Sequence, residues 1–397
     1  GKSVVRQMLQ HSGAYTIDAD SLGHQVMMPN APAYKPVVKT FGKFILGSDG
    51  RINRQLLGQI VFSNPEALKK LEAITHPIIR QAVDALVKRS KQRVVVIEAI
   101  KLLDGELKDW VDEVWVVNAS RKTQFRRLVT KRKMSQDDAK KRILAQSDQS
   151  AKLKAADVVI ENDGDVEKTW QQVQTEWSRI KKQLIAAQQA KKQERDQARQ
   201  QASAQATPTP EADTADDTID DMSPEDQVQD IGGLNVRRGM PKIAQAIADF
   251  INAHGKRGDD LSRIDVMMSF GEKSYFVAQD ENENVVALIG WTVENLVTRV
   301  DEFYVKPGVP VQSAVHAMVV AVEDGSKALQ SEAAFIFLPS DSPEEMIAAF
   351  KADGYDSVTL KEIKIPVWRE AVEEQLREGE RIVLWKQLRQ DRVLQPI

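Results

Sequence analysis

The stretch that decides the fold is the opening one, Gly1-Lys2-Ser3, then Val4 to Gln10, Gly13, Tyr15-Thr16-Ile17 and Asp18-Ala19-Asp20. Gly1-Lys2-Ser3 matches the end of a G-x-x-x-x-G-K-[ST] phosphate-binding loop. In that loop backbone N–H groups cradle the phosphates, the lysine reaches the β/γ oxygens and the hydroxyl holds Mg²⁺. Val4 to Gln10 has the pattern of a short amphipathic helix that Gly13 ends, and Tyr15-Thr16-Ile17 reads as a buried strand running into Asp18 and Asp20. Loop, helix, strand and acid in this order place a carboxylate beside a γ-phosphate. The sequence does not open on Met, so residues upstream of Gly1 are expected, and with them most of the phosphate-cradling amides. The stretch from Gly1 onward is expected to be nearly inert alone.

With 397 residues the chain is long enough for two or three domains, and a hydrophobic fraction of 42% suffices for real cores. The net charge of −3 averages over strongly segregated basic and acidic stretches, so the local runs carry the information. Cysteine is absent, which excludes a disulfide scaffold, a thiolate metal site and a Cys nucleophile, and suits a reducing cytoplasm. No apolar run approaches the ~20 residues of a membrane-spanning helix. A cytoplasmic protein is expected, with neither membrane nor nucleic acid as partner.

Up to about Trp177 the chain alternates strand and helix patterns, the signature of an α/β domain built on a parallel sheet. Val94-Val95-Val96-Ile97-Glu98, Val114-Trp115-Val116-Val117-Asn118 and Asp157-Val158-Val159-Ile160-Glu161-Asn162 are continuous apolar runs, expected as strands buried on both faces. The largely helical stretch from Leu22 to Arg89 has Pro29, Pro32, Pro36, Pro65 and Pro77 at its joints and a turn at Asp49-Gly50. Such an insertion is where a nucleotide kinase holds its acceptor. Spacing alone gives a P-loop kinase of a small hydroxyl acceptor.

Four pieces in one order carry a closer resemblance: Thr16-Ile17-Asp18-Ala19-Asp20; Asn53-Arg54 with Leu56 to Phe62; Leu71 to Ile79, including His76-Pro77; and Ala156 to Asn162. Together they resemble dephospho-CoA kinase across roughly residues 1–177. The resemblance implies transfer of the ATP γ-phosphate to the ribose 3′-hydroxyl of dephospho-CoA, with ATP and Mg²⁺ required. It implies that Gly1, Lys2 and Ser3 bind the nucleotide and that Ser3 ligates the metal. Asp20 becomes the catalytic base, with Asp18 as rival or as a structural acid; Asp18, Arg54 and Lys101 are candidates for binding the acceptor. Arg126 to Gln146 resembles the family's lid, two helices joined at Met134-Ser135 with Ser135 as N-cap. Arg127 and Arg142 are its candidates for stabilising transition-state charge. His76 reads as architectural.

The chain departs from the family at Lys101 and Gly105, where Pro and Glu are usual, and in a more basic lid at Lys131-Arg132-Lys133. These departures leave room for another P-loop small-molecule kinase, or for a non-catalytic CoA-binding regulatory or scaffold protein. The kinase domain is assigned to 1–180 without its first strand and most of the phosphate loop. Val166, Trp170, Val173, Trp177, Ile180 and Leu184 form an apolar stripe expected to pack back on the kinase sheet. An exposed helical extension then covers 181–200. Residues 201–232, with Thr207-Pro208-Thr209-Pro210 and many acids, read as a disordered linker. Two independently folding units are expected, with cleavage by protease between Gln201 and Asp230.

Residues 233–390 have a different rhythm. A strand at Leu234 to Arg238, a helix from Pro241 to Asn252, a hairpin joining Tyr275–Ala278 to Val285–Glu294 and a strand Val300–Val305 come first. A helix Ser313–Leu329, a strand Ala333–Leu338, a helix Pro343–Ala352 and a strand Ile382–Lys386 follow. This order resembles the GNAT acyltransferase fold. The family's Q/R-x-x-G-x-G/A turn reads Gln312-Ser313-Ala314-Val315-His316-Ala317 here, with Val315 in place of the first glycine and Pro310 just before. Weak CoA or acyl-CoA binding at most and no transferase activity are expected, with Val315→Gly expected to restore affinity. Glu302, Tyr304 and His316 read as surface residues.

Overall fold

The computed structural model describes residues 1–100, 102–104, 106–130, 133–144, 149–203, 228–255, 259–376 and 381–391. The first half contains, in order, α1 (Lys2–His11), β1 (Tyr15–Asp18), α2 (Ala19–Gln25), α3 (Tyr34–Phe41), α4 (Arg54–Ser63), α5 (Pro65–Arg89), β2 (Val95–Glu98) and β3 (Trp115–Asn118). It continues with α6 (Arg121–Thr130), α7 (Gln136–Leu144), α8 (Gln149–Lys154), β4 (Val158–Glu161) and α9 (Val166–Ser203).

β1 pairs in parallel with β2, and β3 with β4. Among the described residues no strand pairing links β2 to β3. β2 and β3 are half-buried along their lengths. Side-chain packing holds the two pairs together instead. Val5, Met8 and Leu9 of α1 and Trp170 and Val173 of α9 share one apolar cluster with Val96 and Trp115, which is the use expected of the stripe that starts at Val166.

Asn53 caps α4 by accepting from the Leu56 N–H, and Asn64 caps α5 by accepting from the N–H groups of Glu66 and Ala67. Pro77 is not a joint: α5 runs through it. The proline forfeits one backbone hydrogen bond, but Leu71 and Ile74 on one side and Val83 and Leu86 on the other are anchored in separate apolar clusters. Packing at both ends outweighs the local defect. His76 stands exposed on this helix.

The second half contains β5 (Val228–Ile231), β6 (Leu234–Arg238), α10 (Ala244–His254), α11 (Arg263–Ser269), β7 (Ser274–Gln279), β8 (Val285–Glu294) and β9 (Val297–Val305). Then come α12 (Val311–Ala328), β10 (Ala333–Pro339), α13 (Glu344–Ala352), β11 (Asp356–Ser357), α14 (Pro366–Leu376) and β12 (Arg381–Gln387). The strands form one sheet in the order β11-β12-β10-β9-β8-β7-β6-β5, with β9 and β10 parallel and the other neighbours antiparallel. β5 falls inside the stretch read as linker. Its Val228-Gln229-Asp230-Ile231 pairs with β6 across Gly232-Gly233, both at positive φ, a hairpin that the acidic composition around it masked. Residues 204–227 of that linker lie outside the described residues.

Two expectations for this half are corrected. Gln312 to Ala317 are not a turn but the first part of α12, and Val315 is fully buried on its inner face. Val315→Gly is therefore expected to lower stability by roughly 2–3 kcal/mol, through lost burial, a cavity and glycine's poor helix propensity, without gain in acetyl-CoA affinity. Urea unfolding and calorimetry check both parts; an unchanged midpoint with tighter binding would contradict the assignment. Glu302 is not a solvated strand residue either: its side chain is only 9% exposed, 3.6 Å from Lys273 Nζ, and accepts a hydrogen bond from the Tyr275 hydroxyl at 3.1 Å.

The two halves share a core. Tyr15, Ile17, Leu22, Val83 and Leu86 belong to the same apolar cluster as Trp291 and Leu329, and the Gln330 side-chain amide donates to the buried Leu86 carbonyl at 2.9 Å. Periodicity shows which face of an element is apolar but not what covers it, and here the cover comes from across the expected domain boundary. No described helix is long and apolar enough to cross a membrane.

Candidate active site

The site is assembled at the N-terminus of α1 and the C-terminal ends of β1 and β2. Gly1 is the N-cap of α1, and a Cβ there would meet Asn162 Nδ2 at 2.7 Å and Val117 at 3.2 Å, so a larger residue would push the Asn162 amide aside. Lys2 and Ser3 occupy the first turn, where unpaired N–H groups and the helix dipole favour anions.

Ser3 Oγ donates to Glu98 Oε1 at 2.9 Å, and Arg6 Nε donates to Glu98 Oε2 at 2.9 Å. Arg6 also donates to Thr16 Oγ1 at 3.2 Å, tying α1 to β1. Glu98 was legible only as an acid ending a strand; its contact with Ser3 spans 95 positions of sequence.

Asp18 and Asp20 have different partners. Asp18 is the N-cap of α2 and accepts from the Ser21 N–H at 2.9 Å, so one of its oxygens does structural work. The Asp20 carboxylate accepts from the Ile100 N–H at 3.1 and 3.3 Å. Although Asp20 as a residue is exposed, partial desolvation raises its pKa above the ordinary carboxylate range; the Ile100 N–H opposes this, Asp18 and Glu98 add to it, and Lys2 opposes it. Asp18 lies opposite Glu98 in the β1–β2 register, and Ile100, two residues beyond Glu98, donates to Asp20, so the three acids gather at one end of this strand pair.

The lid helices form as expected. The Ser135 hydroxyl accepts from the Asp138 N–H at 3.1 Å and so caps α7. Arg127 Nη2 donates to Asn162 Oδ1 at 3.1 Å, and the same Asn162 touches Gly1, so this arginine is brought to the phosphate-loop end. Partial burial and Arg126 lower the Arg127 pKa, yet a guanidinium stays charged at any physiological pH. Arg142 is exposed on α7. Arg54 begins α4 and pairs with Glu370. Lys101, Gly105, Lys131 and Arg132 lie outside the described residues. Asn162 ends one of the four stretches that carry the family resemblance, but no role was assigned to it from sequence.

Beside these residues a cavity of about 200 Å³ opens between the halves, lined among others by Arg6, Thr16, Asp18, Ser21 and Asn295. A lysine and a helix N-terminus for phosphates, with a carboxylate of raised pKa next to them, suit phosphoryl transfer to a hydroxyl.

A model of the dephospho-CoA kinase family matches residues 1–168. A dephospho-CoA kinase from Geobacter sulfurreducens is 40% identical over 182 residues, spanning 45% of this chain and 92% of that enzyme. The chain belongs to the dephospho-CoA kinase family. Its first half is thus an ATP-dependent phosphotransferase. Among solved structures, dephospho-CoA kinase from Campylobacter jejuni is 28% identical, with a TM-score of 0.35 over 46% of this chain and 92% of that one. A GNAT-superfamily phosphinothricin acetyltransferase from Sinorhizobium meliloti is 13% identical, with a TM-score of 0.32 over 42% of this chain and 94% of that one.

Proposed function

We propose that the kinase half moves the γ-phosphoryl group of ATP to the ribose 3′-hydroxyl of dephospho-CoA, with Asp20 as base, giving ADP and coenzyme A. The observation that carries this reading is the placement of Lys2 and Ser3 at the start of α1, with Glu98 on Ser3 and Asp18 and Asp20 beside Glu98. The acceptor hydroxyl loses its proton to Asp20 as its oxygen bonds to the γ-phosphorus, and the bond to the ADP oxygen breaks. A carboxylate of raised pKa is a better base than an ordinary one. Lys2 neutralises the β/γ-phosphates, and Arg127, held by Asn162 next to Gly1, meets charge developing on the transferred group. Arg142 and Lys101 are assigned supporting contacts, and Asp18 and Arg54 contacts to the acceptor.

The donor set suits Mg²⁺. The Ser3 hydroxyl and the Glu98 carboxylate are hard oxygen donors 2.9 Å apart, and this ion is usually held by one or two carboxylates plus substrate phosphates. Bound there, the ion would neutralise phosphate charge.

The test is ADP release by the full gene product with ATP and dephospho-CoA. Release above the hydrolytic background only when dephospho-CoA is present supports the reading; equal release without it favours another acceptor. For the second half we propose a GNAT-like fold with weak acyl-CoA binding at most. The strand order with one parallel pair, β9–β10, supports the first part, and Pro310, which has no N–H to offer at the start of α12, supports the second.

A further inference from the structure

α14 buries Trp368, Ala371 and Val372 in the core beneath β10 and β12. That orientation turns Glu370 and Glu373 toward the kinase half. There Glu370 Oε1 lies 3.2 Å from Arg54 Nη2, and Glu373 Oε2 lies 3.7 Å from Arg51 Nη1. Both arginines flank Asn53, the cap of α4. Arg54 also reaches back to just past the end of α2, where its Nη2 lies 3.9 Å from Met28 Sδ. On the same side the turn between β8 and β9 reaches α2, where Asn295 accepts a hydrogen bond from the Ser21 hydroxyl. The second half thus touches the acid-bearing segment directly.

Resting on the assignment of Arg54 to the acceptor, we propose that Glu370 belongs to the kinase's acceptor site: it competes with the diphosphate of substrate and product for Arg54, and so sets how tightly both are held. Dephospho-CoA and CoA carry the same diphosphate between nucleoside and pantetheine arm. Tighter capture of a group common to both is uniform binding, which lowers KM without lowering the chemical barrier and slows product release. A carboxylate that returns to Arg54 limits that capture. The pair is suited to exchange, since its side chains are 44% and 29% exposed and such pairs are weak. A diphosphate brings more negative charge to the guanidinium than one carboxylate does, so it displaces the carboxylate.

The test is calorimetry on the full gene product at low salt, with dephospho-CoA, CoA and adenosine as probes. Glu370→Gln is expected to tighten dephospho-CoA and CoA by about two- to fivefold each and to leave adenosine, which has no phosphate, unchanged. Arg54→Gln is expected to weaken both CoA compounds, and adding Glu370→Gln to it is expected to change nothing further. Unchanged or weaker CoA binding in Glu370→Gln, where Arg54→Gln does weaken binding, would overturn the competition, as would an equal gain for adenosine. Arg54→Gln binding like the parent would instead remove the Arg54 assignment, and the proposal with it.

Discussion

Asp20→Asn is expected to lower the turnover of dephospho-CoA by about 10²- to 10⁴-fold while leaving acceptor binding nearly unchanged, because general-base catalysis contributes on that scale. The substitution is close to isosteric, and Asn retains an oxygen to accept from the Ile100 N–H, the hydrogen bond that positions this side chain. What it loses is a site for the proton. A raised pKa also predicts the shape of the pH profile. The base works only when ionised, so kcat falls as pH drops through a pKa above the ordinary carboxylate value of about 3.9, and the residual activity of Asp20→Asn lacks that limb. Steady-state rates from pH 4 to 8 with calorimetric acceptor affinities separate the two effects. A variant that turns over like the parent would assign the proton to another group, with Asp18 and Glu98 next in line.

Acid is expected to weaken the protein where the two halves meet. His11 ends α1, is 1% exposed, and contacts the Phe270 carbonyl through Nε2 at 3.2 Å. Trp170 and Phe270 pack around its ring. Burial first, and the Arg238 charge second, lower its pKa from 6.5 to about 4. The unfolded chain therefore takes up a proton near pH 6.5 that the folded chain refuses until about pH 4. Above this window both states are neutral and the full stability is present. Stability then falls with pH, by about 2 kcal/mol at pH 5 and about 3 kcal/mol at pH 4. His11→Gln keeps an N–H donor and cannot take the proton. Urea unfolding of parent and variant at pH 7 and pH 5 isolates the difference, since other groups titrate alike in both. Parallel loss in the two proteins would show that His11 is not the acid-sensitive group.

Sequence alone determined what depends on near neighbours. The order of loop, helix, strand and acid at Gly1 to Asp20, the Ser135 cap, and the apolar run of β8 from Val285 to Glu294 are set by hydrogen bonds and composition within a few residues. Lys2 and Ser3 could be proposed as nucleotide ligands from their neighbours in sequence, and Asp20 and Arg127 as site residues from the family resemblance. Tertiary structure decided the rest. It brought Glu98 to Ser3 and Asn162 to both Gly1 and Arg127, turned Val315 inward, carried α5 past Pro77, and set Glu370 on Arg54. The physical reason is common to all five. Each depends on which apolar face covers which, and burial is a non-directional gain summed over segments far apart in sequence, so no local pattern records the partner.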